Sequence, residues 1–211
     1  MRTEQFIDFL ASRAGPAPSR PVAARLAVAM GLGLAASAAL AVGTLGLYAG
    51  FAEAGTGLAI KWAYVLAMVM AAADLAGRMS RPATSSRRAV LNLALVLLAM
   101  TMLAALTSAS EPEGLRLGRL FGRTWRSCPG WVALLSAPAL IAVLRAMRGL
   151  APTRPRLGGF AAGLLAGAIG TLGYTLHCPE MAPEFVLAWY TLGMLITATV
   201  GALLGPWALR W

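Results

Sequence analysis

The sequence predicts an all-α integral membrane protein. The expected form is a bundle of six transmembrane helices, with both termini cytoplasmic and a short amphipathic helix at the N-terminus. Three observations lead there. Of 211 residues, 59% are hydrophobic and only 12% charged, about half the charged share of a soluble domain. The charges cluster between long apolar runs instead of dispersing along the chain. The basic residues also fall unevenly once the runs are counted as crossings.

Residues 1–20 precede the first run and form the expected cytoplasmic segment. Met1 to Arg13 has the pattern of a short amphipathic helix, with Phe6, Ile7, Phe9 and Leu10 apolar and Glu4, Asp8 and Arg13 polar. Thr3 is its candidate N-cap, and Gly15-Pro16-Ala17-Pro18 breaks it into a linker. A lone helix of this length is marginal in water. It therefore needs a surface to bind, either the membrane or a partner groove that takes its apolar stripe.

Residues 21–211 form the expected membrane domain, with spans at about 26–50, 57–76, 89–109, 128–146, 157–177 and 184–207. Each is near or above the roughly 18–20 residues that cross about 30 Å of hydrocarbon. The second contains Lys61 near one end and Asp74 near the other. A lysine near the interface extends its ammonium toward the headgroups, and Asp74 sits one helical turn from Arg78, which suits an interfacial ion pair. The first run begins too late and runs too long for a cleaved signal core. Its retention as a span is expected. Abundant Ala and Gly lets helix backbones approach closely, so a compact bundle is expected. No alternating strand pattern supports a barrel.

Six crossings put both termini on one side. That side holds Arg2, Arg13, Arg20, Arg25, Arg78, Arg81, Arg87, Arg88, Arg145, Arg148, Arg154, Arg156 and Arg210, thirteen of the 18 basic residues. The other side holds Lys61, Arg116, Arg119, Arg123 and Arg126. The richer side is expected to be cytoplasmic. The formal charge of +10 is therefore mainly a topology signal, and direct nucleic-acid binding is not expected. In the outer loop, Arg116, Arg119, Arg123 and Arg126 fall at helical spacing among Leu117, Leu120, Phe121 and Trp125. This predicts a short helix on the outer surface, either anchoring to headgroups or forming a lid.

Both cysteines fall on the outer face, and each precedes a proline. Cys128-Pro129 opens the fourth span, where proline fits the first turn and a thiol gains thiolate character. Cys178-Pro179 ends the fifth. The run His177-Cys178-Pro179-Glu180-Met181 combines imidazole, thiol and thioether, a set that suits a soft or borderline ion such as copper or zinc. Cys128 would complete it if the two spans are neighbours. A disulfide, a responsive thiol pair and inert packing all remain open.

The C-terminal third carries a resemblance. Gly163-Leu164-Leu165-Ala166-Gly167-Ala168 leads to Tyr174-Thr175-Leu176-His177-Cys178, followed by Trp189-Tyr190, Leu192-Gly193, Gly201-Ala202-Leu203-Leu204-Gly205 and Leu209-Arg210-Trp211. With Trp125 and Cys128, this resembles the NrsF family of six-span membrane anti-sigma factors over nearly the whole chain. One departure is the first outer loop, where the family often shows an Asp-Leu pair and a Phe before the lysine and Phe51 to Lys61 retains only the lysine clearly. The resemblance implies a bacterial inner-membrane, multi-pass protein. Its N-terminal segment would hold an extracytoplasmic-function sigma factor, and Phe6, Ile7, Phe9 and Leu10 would supply the apolar contacts. Metal or oxidative stress sensed at Cys128 and Cys178, with His177 and Met181 beside them, would release it.

An enzyme is not expected. A membrane thiol oxidoreductase would need a Cys-x-x-Cys pair or a second redox couple, and a small metal transporter would need ionisable residues at mid-membrane.

Overall fold

The computed structural model describes residues 3–13, 21–51, 55–81, 84–148, 150 and 152–210. The predicted Gly15–Pro18 linker lies outside them. All regular structure among the described residues is helical. Helices α1 (Thr3–Arg13), α2 (Pro21–Leu45), α3 (Gly55–Met79), α4 (Arg87–Ala109) and α5 (Glu113–Phe121) come first. Helices α6 (Cys128–Leu135), α7 (Ala137–Arg148), α8 (Pro155–Tyr174) and α9 (Pro183–Ala208) follow. Five of these, α2, α3, α4, α8 and α9, are long and apolar enough to cross a membrane, and α6 with α7 makes a sixth if the bent pair is one span.

Helix α8 is the axis of the bundle, with 89% of its most apolar window buried. Its glycines explain why. A Cβ added at Gly163 would lie 2.4 Å from the Thr197 carbonyl oxygen of α9, and one at Gly201 would lie 2.3 Å from that of Gly159. The two helices therefore meet backbone to backbone, the packing that small residues permit where apolar surface alone gives no preference. Gly173 and Gly170 make similar approaches to Ser37 of α2 and to Ser136. By contrast, α4 has only 17% of its window buried. Its Leu91, Leu95, Leu98, Met102 and Leu106 are exposed, a face suited to lipid and not to water.

Three boundaries differ from the sequence reading. Helix α2 stops at Leu45, not near residue 50, because Gly46 takes φ 80° and its N–H caps the Val42 carbonyl at 3.1 Å, a left-handed stop. Helix α8 stops at Tyr174, and a turn over Thr175–His177 carries the chain to Cys178. The predicted fourth span is broken into α6 and α7, which meet at 42°. Pro138 cannot donate to the Leu134 carbonyl, and the Ser37 hydroxyl donates to the neighbouring Leu135 carbonyl at 2.7 Å. Helix α9 also holds a π turn at Val186–Tyr190.

One end of the bundle carries both cysteines. The other carries Arg78, Arg81, Arg87 and Arg154, the start of α2 and the end of α9; there Arg148 Nε donates to the Arg210 carbonyl at 3.2 Å. These are the thiol end and the arginine end below.

Candidate functional site at the thiol end

Cys128 is the first residue of α6, with Pro129 behind it in the first turn and Ser127 before it. Cys178 follows the turn after α8, its N–H bonded to the Tyr174 carbonyl at 3.1 Å. Both thiols are free and wholly buried. The Cys128 thiol pairs with the Tyr174 hydroxyl. The Cys178 thiol lies near the Tyr190 hydroxyl, which makes no hydrogen bond among the described residues. The condition that the fourth and fifth spans be neighbours is met, with α6 packed on α8. The exposure that a reactive thiolate needs is absent, because both sulfurs sit inside the closed bundle.

Lys61 is placed differently from its expected reach toward headgroups. It is 0% exposed, and its ammonium donates to the Cys178 carbonyl at 2.7 Å. Both thiols and the Glu180 carboxylate lie within its electrostatic reach. The chain's only lysine thus pins α3 to the cysteine turn. Burying an ammonium is costly unless hydrogen bonds satisfy it, so its position is a built feature of the site. Its place inside an apolar run was the available signal; what the sequence hid was the carbonyl it serves.

His177 and Met181 flank Cys178 but do not close on the thiols as a ligand set. His177 Nδ1 lies 3.2 Å from the Gly46 carbonyl, and the Tyr48 N–H donates to the Leu176 carbonyl at 2.9 Å. These bonds tie the loop after α2 to the cysteine turn. Met181 packs on the start of α3, where a Cβ on Gly57 would come within 2.8 Å of its own Cβ. Among the described residues, no three His, Cys, Asp or Glu side chains converge as a metal site. A resident copper or zinc ion therefore does not fit the residues as they stand.

A cover lies over this cluster. Helix α5 holds Arg116 and Arg119, but it ends at Phe121 instead of continuing through Arg126. Gly122 takes φ 54° and turns the chain, so Arg123 and Arg126 leave the helix. The Arg123 N–H donates to Glu180 Oε1 at 2.7 Å. Arg119 binds Glu111 at 2.6 Å and reaches Glu184 at 3.4 Å. Glu184, only 6% exposed, also accepts from the Thr107 hydroxyl at 2.9 Å and the Ser108 hydroxyl at 3.3 Å. Trp189 Nε1 donates to the Leu120 carbonyl at 2.8 Å, and its ring packs with Phe121 and Trp125. The amphipathic segment thus rests on protein through charged, polar and aromatic contacts, as a lid. Glu184 and Trp189 escape a reading along the sequence because their partners are 65 to 77 residues away.

At the opposite end of the chain, α1 has no buried residue. Phe6, Ile7, Phe9 and Leu10 are each between 44% and 56% exposed. The Asp74–Arg78 pair forms as expected, at 2.8 Å.

The family model described as "Negative regulator of sigma F" (NrsF) matches residues 10–211. The chain belongs to the NrsF family. It is 42% identical over 218 residues to a protein of Azospira oryzae named "Probable anti-sigma-F factor NrsF", with the whole of both chains covered. It is 39% identical over 220 residues to the "Anti-sigma-F factor NrsF" of Caulobacter vibrioides, again over the full length of both. No solved structure matches. The family's description is that of a regulator, not of an enzyme.

Proposed function

We propose that this protein is a membrane-bound anti-sigma factor of the bacterial inner membrane, with both termini cytoplasmic. It sequesters an extracytoplasmic-function sigma factor and releases it when metal or oxidative stress reaches the periplasmic cysteines. One observation carries the reading: α1 presents Phe6, Ile7, Phe9 and Leu10 as an unburied apolar stripe. A helix this short does not persist alone in water, and an i, i+3, i+4 stripe is what a hydrophobic groove on a partner takes. The arginine excess at the end where α2 begins supports a cytoplasmic placement of the segment before it. The relatives' names support a sigma factor as the partner and say nothing of its extracytoplasmic-function type.

Cys128 and Cys178 are the sensing pair in this reading. A soft metal arriving as the signal would meet the two thiols alone, because His177 and Met181 are engaged elsewhere in the closed bundle. An oxidant would take two electrons and two protons as the sulfurs join. Either event needs the α5 lid to open, and either pulls on Lys61 and α3. A shift from mostly bound to mostly free sigma factor requires the signal to favour one state by about 5.5 kcal/mol.

The test is capture of the cognate sigma factor by the full-length protein in nanodiscs. Phe6→Asp with Leu10→Asp is expected to weaken capture at least about a hundredfold, the loss typical of truncated apolar anchors. Undiminished capture would sink the assignment of α1. In cells, Cys128→Ser with Cys178→Ser is expected to abolish induction by metals or oxidants while basal repression stays. Unchanged induction would remove the thiols from the mechanism.

A further inference from the structure

At the arginine end a cavity of about 410 Å³ opens between the α3–α4 turn and the segment that leads into α8. Arg78, Arg81, Arg87 and Arg154 line it, with the hydroxyl-bearing Ser86 and Thr153 between them. Arg78 has an acidic partner: its Nε meets Asp74 at 2.8 Å, and its Nη1 donates to the Ser85 carbonyl at 3.2 Å. Among the described residues no carboxylate pairs with Arg81, Arg87 or Arg154. Guanidiniums cannot lose their charge near neutral pH. Gathered around one opening they repel one another, and an anion between them removes that cost.

The position of the cavity narrows the choice of anion. Arg78 lies in the last turn of α3, Arg87 opens α4, and Arg154 immediately precedes α8. Each of these helices is long and apolar enough to span a bilayer. Their shared end therefore lies at headgroup level. The abundant anion there is lipid phosphate. Arginine suits phosphate because its planar fork donates two parallel bonds, and all but one of the chain's 18 basic residues are arginine. A topology signal alone requires only that cations occupy the loops. It does not require four of them to face one cavity from two separate connections.

We propose that this cavity binds the phosphate of an anionic phospholipid headgroup, clamped by Arg81, Arg87 and Arg154. A headgroup seated there would join the α3–α4 turn to the α7–α8 connection. It would thereby brace α4, the span with the least buried face. Basic pockets at the cytoplasmic ends of transmembrane helices hold acidic headgroups in this manner.

The test uses the full-length protein in nanodiscs and counts retained lipid by native mass spectrometry. Phosphatidylglycerol is expected to be retained at least about tenfold over phosphatidylcholine. Arg87→Gln with Arg154→Gln is expected to cut that retention roughly tenfold to thirtyfold, the share of two headgroup-facing cations. Arg88→Gln with Arg156→Gln removes the same charge at the same end outside the cavity, and is expected to change it less than about threefold. Equal losses in the two double variants would overturn the proposal, as would equal retention of the two lipids. Displacement of the lipid by equimolar inorganic phosphate would also overturn it, by making the site one for the free ion. So would loss of sigma-factor capture by R87Q/R154Q in pure phosphatidylcholine discs, which would assign the cavity to an acidic protein surface.

Discussion

At the thiol end, the loop after α2, the start of α3, the lid α5 and the turn before α9 all close on two buried sulfurs, and the polar side chains there are largely matched. At the arginine end, guanidiniums line an open cavity. The difference separates two kinds of stability. The thiol end is held by many specific bonds and resists entry until several yield together. The arginine end is held mainly by the helices that run into it, so its surface groups are available to other molecules. The proposed function, with a signal received at one end and a partner gripped at the other, would need this asymmetry.

The contrast can be attacked first where it is strongest. Glu184→Ala removes the acceptor shared by Thr107, Ser108 and Arg119. Breaking a buried ion pair costs about 3–5 kcal/mol; the partial exposure of Arg119 brings the expected loss to about 2–3 kcal/mol. Labelling of Cys178 by maleimide, in membranes, should accelerate by roughly 30-fold to 160-fold. Unchanged labelling would mean that α5 does not guard the thiols. A milder strain comes next. Gly122→Ala places a Cβ in a left-handed conformation 2.7 Å from the Glu180 carboxyl carbon. The carboxylate can swing aside but the backbone cannot, so thermal unfolding should show a loss of about 1–2 kcal/mol. The smallest effect belongs to the arginine end. In neutral lipid, Arg87→Gln should leave stability within about 0.5 kcal/mol of the parent. A cost matching that of Gly122→Ala would erase the distinction between the ends.

The spans were legible because a bilayer imposes length and apolarity on each helix separately, and those are local properties. The same holds for the opening of α6 at Cys128-Pro129 and for the pair Asp74–Arg78, whose members are one turn apart. Lys61 was misplaced because its destination, the Cys178 carbonyl, is 117 residues away. The arginine spacing from Arg116 to Arg126 suggested a longer α5 because periodicity says nothing of a glycine that takes positive φ at position 122. Whether the two thiols meet was left open by the sequence, and their burial depends on a lid whose bonds to Glu180, Glu184 and Trp189 are all tertiary.

The π turn at Val186–Tyr190 gives α9 a property that its hydropathy conceals. One extra residue in a turn displaces the phase of everything after it by about 100°, the angle between successive residues of an α-helix. Before the turn, Glu184 addresses α4 and α5; after it, Gly193 faces Val132 of α6, while Gly201 and Gly205 face α8. The two duties are out of step, and the wide turn reconciles them. Single-residue deletions should therefore be unequal along this helix. Removal of one residue at Val186–Tyr190 would rotate the glycines off their seam, while loss of one beyond Ala208 would leave that seam in register. For this segment of the chain, length is under tighter constraint than composition.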